Sequence, residues 1–479
     1  MKHNWLKGAM MVAAVIWGSI GFEAQAQWVY DSGAGTLSNS ENGYSFPVTV
    51  VTKTDPSNNQ SVTGFEVKGT TVGSGDLDFT NVGTDMTGDY AGYNVISLKQ
   101  DGTANRFVNN ITSCTKLTAP HVLELDSYLF YGNHYLVEIV LSDSDEVKVT
   151  KIPERCFNTE YATLQKITPS KFPYVTEMIG GNQGLMFWKS TSLTSDFSFP
   201  NLKVIGNGAF MACWGVTNVS LPNVEKMVGG YGAFQGAGLV GDLEYEHLTF
   251  VSGSTFYGTK ITSFKADGVT NVGASAFQNC TQLTSIQLGA DCATNYGDKA
   301  YAGCSKLVSL SPWPKLNNIK NTYNNNGNMN TLIDPLQGCE KLAGSIEMSS
   351  KEELMITTGW MKNCKMITNV TIKAEVTNVA QNVFQNICPG AEIYWDAEKA
   401  PLVFGSNAFS PEGGTSKAFA RIYVTQDIEG WTKLMSKVAA DFTDSDKSKN
   451  GYPGKKTLGI INGNVYVVDG RAGLCIRIQ

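Results

Sequence analysis

The cysteines are the residues of this chain with the widest chemical repertoire, and half of the ten share one sequence context. In "AFQNCTQLTSIQL" (276–288), Cys280 follows Phe277 by three residues, among amide and hydroxyl side chains, as a reactive thiol would. The same position is held by Cys213, Cys280, Cys304, Cys339 and Cys364. In other copies Ala237 and Thr259 replace it. Because Ala cannot replace a nucleophile or a metal ligand, the pattern favours buried thiols that pack as small apolar groups.

A disulfide is the main alternative for these thiols, because ten cysteines in an exported chain would permit several. The cysteine spacing follows a repeat and contains no Cys-x-x-Cys cluster, so no zinc site is indicated. Stacked repeats would place Cys280 beside Cys304 with parallel side chains, whereas a disulfide needs its Cβ atoms about 3.8 Å apart and a dihedral near 90°. We therefore expect both thiols to remain reduced.

Two further motifs match ligand sites only in part. "GAGLVG" (236–241) satisfies the dinucleotide fingerprint G-x-G-x-x-G, but no strand-turn-helix context surrounds it and Ala237 stands at the repeated Cys position. "DSDKSKNG" (444–451) spaces its oxygen ligands as a calcium loop does, but Thr457 stands where the closing Glu belongs. We interpret the first as part of a repeat and the second, like "LSDSDE" (141–146), as an exposed loop. No cofactor and no metal is expected.

Catalytic groups are equally hard to assemble from this sequence. Beyond the N-terminal region the histidines are His121, His134 and His247, and none forms a His-x-His or His-Glu-x-x-His pair. No G-x-S-x-G nucleophile motif occurs. Carboxylates are plentiful, so a glycosidase-like pair stays open as an alternative, but no pair stands out. The sequence therefore favours a protein that is not an enzyme.

The cysteine context is one part of a repeat that covers most of the chain. Its copies begin at Ala209, Ala233, Thr255, Ala276, Ala300, Pro335, Trp360, Val383 and Ala408, with degenerate copies around Phe107, Phe130, Phe157 and Phe187. The steps between copies run from 21 to 35 residues, and the longest contains an insertion at 311–335. A period in this range is typical of a solenoid, whose coils stack because one coil alone cannot bury its apolar edge.

Each coil combines a turn with a strand. "AFQNC" is short and mixed, as a single helical or 3₁₀ turn would be, while Ile286, Gln287 and Leu288 alternate as a strand with one buried face does. A second apolar pair, such as Val269 and Val272, precedes the next turn. The expected fold is an α/β repeat, a solenoid with a parallel β-sheet.

These motifs resemble the BspA-type leucine-rich repeat proteins of bacterial cell surfaces. "LTSIQL" matches the Leu-x-x-Ile-x-Leu strand of that family, "LKVIGNGAF" (202–210) its Val-x-x-Ile-Gly stretch, and "AFQNC" its closing Ala-Phe-x-x-Cys. The resemblance covers about residues 105–425. It implies a leucine-rich-repeat solenoid with a binding or adhesive role outside the cell, and it implies no catalytic residues.

Composition and the N-terminal sequence limit the possible classes of partner and the cellular compartment. The chain has 479 residues, 42% hydrophobic and 17% charged, with a net charge of −6, so it can bury a large core but offers no basic field for nucleic acid. Lys2 and Lys7 precede an apolar run that ends in Ala24-Gln25-Ala26. This pattern predicts a signal peptide over 1–26, and hence a secreted or cell-surface protein with no span after cleavage.

The two ends of the solenoid carry sequences of another kind. Residues 27–104 contain "FPVTVVTKT", "VTGFEVKG" and "YNVISLKQ", alternating stretches that predict a small β-rich cap. The solenoid is expected over 105–425. Residues 426–479 are expected to form a C-terminal cap with a helix from about Asp427 and a hairpin at Asn462-Gly463. The asparagine-rich stretch 321–330 is a second place where function could reside.

The outward positions of the strands supply the candidate binding face. They carry short hydroxyl and amide side chains, in columns about 4.8 Å apart. The residues are Thr217, Asn218, Ser220, Thr262, Ser263, Lys265, Thr284, Ser285, Gln287, Thr368, Asn369 and Thr371. Such a strip suits an extended protein or glycan of the host or the cell envelope better than a small metabolite. The alternatives are a structural or scaffolding envelope protein and an unrecognised secreted hydrolase.

Overall fold

The structure is a computed structural model. It describes residues 28–70, 73–101, 107–108, 111–159, 163–178, 184–293, 295–314, 321–323, 329–332, 334–351, 353–356, 358–380, 382–388, 391–404, 421–424 and 430–431, together with three C-terminal strands at 457–461, 464–468 and 475–478. The expected signal peptide and the "DSDKSKNG" loop lie outside these residues.

Strands dominate the described chain. Up to the insertion they are β1 Trp28–Asp31, β2 Thr36–Asn39, β3 Ser45–Asp55, β4 Gln60–Lys68, β5 Leu77–Asp78, β6 Val95–Lys99, β7 Lys116–Thr118, β8 Glu124–Leu125, β9 Glu138–Val140, β10 Lys166–Thr168, β11 Glu177–Met178, β12 Phe197–Ser198, β13 Val204–Gly206, β14 Val219–Ser220, β15 Lys226–Val228, β16 Val240–Glu244, β17 Phe250–Val251, β18 Lys260–Ala266, β19 Asn271–Val272, β20 Ser285–Leu288 and β21 Ser309–Ser311. From the insertion onward they are β22 Asn321–Tyr323, β23 Met329–Leu332, β24 Gly344–Met348, β25 Leu354–Ile356, β26 Ile367–Ile372, β27 Val376–Val379, β28 Glu392–Trp395, β29 Val403–Phe404, β30 Arg421–Val424, β31 Thr457–Ile461, β32 Asn464–Val468 and β33 Cys475–Ile478. Short helical segments are the one-turn helix α1 Val82–Asp85 and the 3₁₀ segments Gly88–Tyr90 and Ala290–Ala293.

The strands stack in parallel as a solenoid with two sheet faces, which confirms the predicted fold class. The front sheet consists of the strands that follow each anchor turn, in the ladders β5-β7-β9-β10, β12-β14, β16-β18-β20-β21 and β24-β26-β28-β30-β33. The back sheet consists of strands that precede the turns, in the ladders β11-β13-β15-β17-β19 and β25-β27-β29. In β20 the predicted alternation is present, with Ile286 and Leu288 buried and Gln287 exposed.

An aromatic column runs between the two sheets. The rings of Phe107, Phe130, Phe157, Phe187, Phe210, Phe234, Phe256, Phe277 and Tyr301 follow one another at centroid distances of 4.7 to 6.2 Å. All are at most 1% exposed. The first four copies, whose sequence match is weak, are therefore in the same register as the rest.

The anchor segment makes two successive turns where the sequence suggested a single helical or 3₁₀ turn. In the copy around Phe277, Gln278 N–H bonds to Ser275 C=O at 3.1 Å and Cys280 N–H to Phe277 C=O at 3.2 Å. Ser275 and Asn279 have φ of 57° and 61°. A left-handed residue on each side of the anchor prevents a continuous helix, so the chain turns the corner between back and front sheets within a few residues.

The glycines of "GAGLVG" have backbone reasons that involve no nucleotide. Gly236 and Gly241 have φ of 66° and 80°. A Cβ on Gly238 would lie 2.0 Å from the Trp214 carbonyl oxygen of the preceding coil. Only glycine meets such demands without strain, and the segment runs from an anchor turn into β16.

The N-terminal strands join the solenoid directly. β1 to β4 pair antiparallel, and β4 then pairs in parallel with β6, and β6 with β8. Phe46 stacks on Phe107 at 5.7 Å, which continues the aromatic column into β3. The three stretches predicted as strands are thus β3, β4 and β6, and parallel pairing begins ahead of residue 105.

The insertion and the C-terminus also contain hairpins. β22 pairs antiparallel with β23 inside the insertion. β31 pairs antiparallel with β32, with Ile461 opposite Asn464, on either side of the predicted turn at Asn462-Gly463. The helix expected from Asp427 lies outside the described residues except at 430–431, where Trp431 is buried with its ring 5.1 Å from Trp395. Within the described parts of the chain, no helix is long and apolar enough to cross a membrane.

Candidate binding face

The twelve candidate residues lie on, or next to, strands of the front sheet. Eight are exposed: Thr217, Asn218, Ser220, Thr262, Lys265, Thr284, Gln287 and Thr368. Four are half-buried: Ser263, Ser285, Asn369 and Thr371. Their neighbours in sequence, such as Ile261, Phe264 and Ile286, are at most 1% exposed. The front sheet therefore separates a polar outer surface from the core.

Many outward side chains bind the adjacent coil. Thr262 Oγ1 and Ser263 Oγ both donate to Asp242 Oδ1, at 2.7 and 2.6 Å, and these bonds lower the pKa of Asp242, with that from Ser263 the larger cause. Lys265 Nζ donates to Glu244 Oε1 at 2.6 Å, which raises the pKa of Lys265. The hydroxyl and ammonium groups in these two coils are thus partly occupied by neighbouring carboxylates.

The same inter-coil bonding continues along the face. Thr284 Oγ1 donates to the Thr262 carbonyl at 2.9 Å, and Gln287 Nε2 donates to Asp267 Oδ1 at 2.7 Å. Thr368 and Asn369 make longer bonds of 3.4 Å to the coil before them. By contrast, the side chains of Thr217, Asn218 and Ser220 bond to no other described residue, so their coil offers three free polar side chains.

The front sheet is interrupted next to that coil. Val240 N–H bonds to the Thr217 carbonyl at 3.2 Å, but no backbone hydrogen bond joins 218–222 to 241–246, although every residue from 201 to 293 is described. The register of β16 against β18 shifts between Gly241 and Asp242. Such a bulge bends a strand, so β14 and β16 separate beyond Val240.

A groove of about 550 Å³ opens at this interruption. Its lining is Pro222, Glu244, Tyr245, Glu246, Lys265 and Asp267. Sequence reasoning singled out only Lys265 among these. The signal available was "LEYEH" (243–247), where two carboxylates flank a Tyr just after a strand, but nothing in the sequence shows that the sheet opens there.

The repeated cysteines point into the core and donate to the preceding coil. Their Sγ atoms lie 2.9 to 3.2 Å from carbonyl oxygens of preceding anchors, from Cys213 to Phe187, Cys280 to Phe256, Cys304 to Phe277, Cys339 to Tyr301 and Cys364 to Leu336. All five are at most 1% exposed, and burial raises the pKa of Cys213, Cys304, Cys339 and Cys364. Ser190 stands at the same repeat position and donates its Oγ to Phe157 at 2.9 Å. The position thus takes a small buried side chain, which in these copies also donates to the preceding coil, whereas Ala237 fills it without a donor.

Asp334 is a buried carboxylate where the chain rejoins the solenoid after the insertion. Its oxygens accept N–H groups of Leu336, Gln337 and Met361 at 3.1 to 3.2 Å, which tie two coils together. Burial, opposed by those bonds and assisted by Asp298, raises the pKa of Asp334 to about 7. Its contacts are with backbone groups, which indicates a structural role.

The three histidines and the "LSDSDE" stretch lie wholly or partly at the surface. His134 and His247 are exposed and His121 is half-buried. "LSDSDE" forms a bend with Asp143, Ser144 and Asp145 exposed. Among the described residues, no group of His, Cys, Asp and Glu is arranged to hold a metal ion.

Stacked parallel coils, a turn with a repeated thiol and an aromatic column define a solenoid protein of the leucine-rich repeat class. The sequence profile described as "BspA type Leucine rich repeat region", in six copies, matches residues 103–240, 230–337 and 336–411. The chain belongs to this family, whose members are bacterial surface proteins that generally mediate interactions. No curated protein sequence matches it.

Several solved structures are similar to the chain at low identity. A leucine-rich repeat protein from Bacteroides ovatus shares 15% identity over 83% of this chain and 96% of its own, with a TM-score of 0.37. A leucine-rich cell surface protein from Faecalibacterium prausnitzii shares 17% identity over 91% of this chain and 100% of its own, also with a TM-score of 0.37. The pneumococcal vaccine antigen PcpA shares 11% sequence identity over 86% of this chain and 96% of its own, with a TM-score of 0.37.

Proposed function

We propose that this chain is a secreted or cell-surface interaction protein that binds a protein or glycan partner through the outer surface of its front sheet. Export is inferred from the sequence of residues 1–26, with Lys2 and Lys7 before an apolar run that ends in a small-x-small site. Residues 27–104 and 426–479 are proposed to cap the two ends of the stack, which would otherwise expose apolar core.

The observation that carries this proposal is the separation of inward and outward positions on the front sheet. Inward side chains are buried coil after coil, while the outward candidates are hydroxyl, amide or ammonium side chains that are exposed or half-buried. A polar surface that extends over stacked coils allows an extended partner to contact several coils at once. Each neutral hydrogen bond adds only about 0.5–1.5 kcal/mol, so affinity must come from many contacts.

The test is to block the strip without disturbing the core. Thr262→Arg combined with Thr284→Arg places two large side chains on adjacent strands at exposed positions. The variant loses two exposed inter-coil bonds, from Thr262 to Asp242 and from Thr284 to the Thr262 carbonyl, so we expect a small fall in melting temperature with the fold retained, and a loss of adhesion of the protein to host or envelope material. The matched control is Thr270→Arg, an exposed threonine just before β19 of the back sheet, which should leave adhesion unchanged.

A stably folded double variant that adheres as well as the wild type would move the binding site elsewhere. The next candidates would then be the asparagine-rich stretch 321–330 and the N-terminal strands. Adhesion that depends on self-association alone would favour the scaffolding alternative.

A further inference from the structure

Three features come together at the groove between β14 and β16. It contains three carboxylates, from Glu244, Glu246 and Asp267, against one ammonium, from Lys265. Lys265 is already paired with Glu244 at 2.6 Å. Glu246 makes no side-chain bond to another described residue, and Asp267 accepts only a neutral donor, Gln287. The groove therefore has an uncompensated negative charge.

Tyr245 is the second and independent feature. It lines the groove although only 6% of its surface is exposed, and its ring packs on Phe264 at 5.7 Å. Its hydroxyl has no hydrogen-bond partner among the described residues. Burial raises the pKa of Tyr245, so the hydroxyl stays protonated and neutral. The hydroxyl oxygen is reachable from the groove, where a ligand group can hydrogen-bond to it.

The third feature is the pair of open strand edges. Coil 234–246 bonds to coil 256–267 through the ladder of β16 and β18, but after Val240 it makes no backbone bond to residues 218–222 on its other side. Unpaired backbone groups on a strand edge are templates for an extended chain. A small cation would leave them unused, whereas a peptide would occupy both the edge and the groove.

We propose that this groove binds a lysine or arginine side chain presented by an extended segment of a partner protein. The ammonium or guanidinium group donates to the carboxylates of Glu246 and Asp267 and to the oxygen of Tyr245, and the segment's backbone lies along the open edge of β16. The inference rests on the proposed function, since it names the partner chemistry of the same front sheet.

The probe is a fluorescent peptide of alternating Thr and Lys, acetylated and amidated, whose extended form places its lysines on one face. A peptide of alternating Thr and Gln is the neutral comparison. With the full chain, measured by fluorescence anisotropy, we expect the Lys peptide to bind at least about tenfold more tightly than the Gln peptide, because charge-assisted bonds are the stronger class.

Three variants distinguish binding of the Lys peptide in the groove from its nonspecific attraction to an acidic protein. Glu246→Gln with Asp267→Asn should weaken binding of the Lys peptide by about tenfold, and Tyr245→Phe by about threefold, both without a change in melting temperature. The matched control is Glu347→Gln, because Glu347 is also an exposed outward residue of a front-sheet strand and pairs with Lys373 at 2.9 Å, but lies outside the groove. It should change affinity by less than about twofold.

The proposal would be overturned if all three variants lost the same affinity for the Lys peptide, or if the groove variants lost none. Full competition by n-butylammonium at the same concentration as the peptide would also overturn it, because a free amine would then be the better ligand. The front-sheet function is tested separately by the double arginine variant. If the wild-type chain binds the Lys peptide as expected but the double arginine variant adheres as well as the wild type, only the front-sheet function is contradicted. If the double arginine variant loses adhesion but the wild-type chain does not bind the Lys peptide, only the groove proposal is contradicted.

Discussion

Truncation of one ring of the aromatic column tests how the coils hold together. Phe277 is fully buried, and its ring lies 5.3 Å from Phe256, 4.8 Å from Phe264 and 6.1 Å from Tyr301. Buried Phe→Ala changes cost about 3–5 kcal/mol. Each aromatic pair adds about 0.5–1.5 kcal/mol beyond its buried area. With three rings around it, Phe277→Ala should fall in the upper half of that range.

The measurement is the free energy of unfolding from urea titration, followed by circular dichroism in wild type and variant. The cavity cannot close because the coils on either side are fixed by backbone ladders, such as Phe277 N–H to Ala300 at 2.8 Å. Val308→Ala is the control, since Val308 is 57% exposed and its truncation should cost no more than about 0.5 kcal/mol. A loss below about 1 kcal/mol for Phe277→Ala would refute the idea that this ring joins neighbouring coils.

Further predictions concern the buried thiols and Asp334. Mass spectrometry of protein alkylated in denaturant and digested without reduction should find Cys280 and Cys304 as separate alkylated peptides, and a crosslinked peptide would contradict the parallel side-chain geometry. Cys364→Ser should be less destabilising than Cys364→Val, because a hydroxyl can still donate to the Leu336 carbonyl; equal unfolding free energies would show that only volume matters there. Asp334 has a folded pKa raised to about 7, so its contribution is fully present below about pH 4 and is lost as pH rises towards 7. Over that window wild-type stability should fall relative to Asp334→Asn, by at most about 1.4 kcal/mol per pH unit, and parallel pH profiles in urea titrations would remove Asp334 as the cause.

The repeat could be predicted from sequence because each coil repeats the same physical demands. An aromatic anchor, a small donor three residues later and an alternating strand are local patterns, and they recur in register. The copies around Phe107 to Phe187 match the repeat sequence weakly because other small polar residues, such as Ser190, occupy the position of the repeated Cys. The Sγ hydrogen bonds were not predicted, because their acceptors belong to the preceding coil.

The candidate site could be predicted only in part. Alternation correctly indicates which strand positions face outward, but it cannot show that Thr262 and Ser263 donate to Asp242 of the adjacent coil. The groove depends on a bulge at Gly241 that separates the front-sheet strands of two adjacent coils. Tertiary geometry of this kind leaves no periodic signal in the sequence.

The outer surface of the front sheet is proposed to bind an extended partner. The most direct measurement is an array of proteins and glycans probed in parallel with wild type and with the variant that combines Thr262→Arg and Thr284→Arg. We predict a defined set of binding features for the wild type, with each feature lost in the double variant and kept in Thr270→Arg. The claim would be contradicted by features that the double variant binds as strongly as the wild type does.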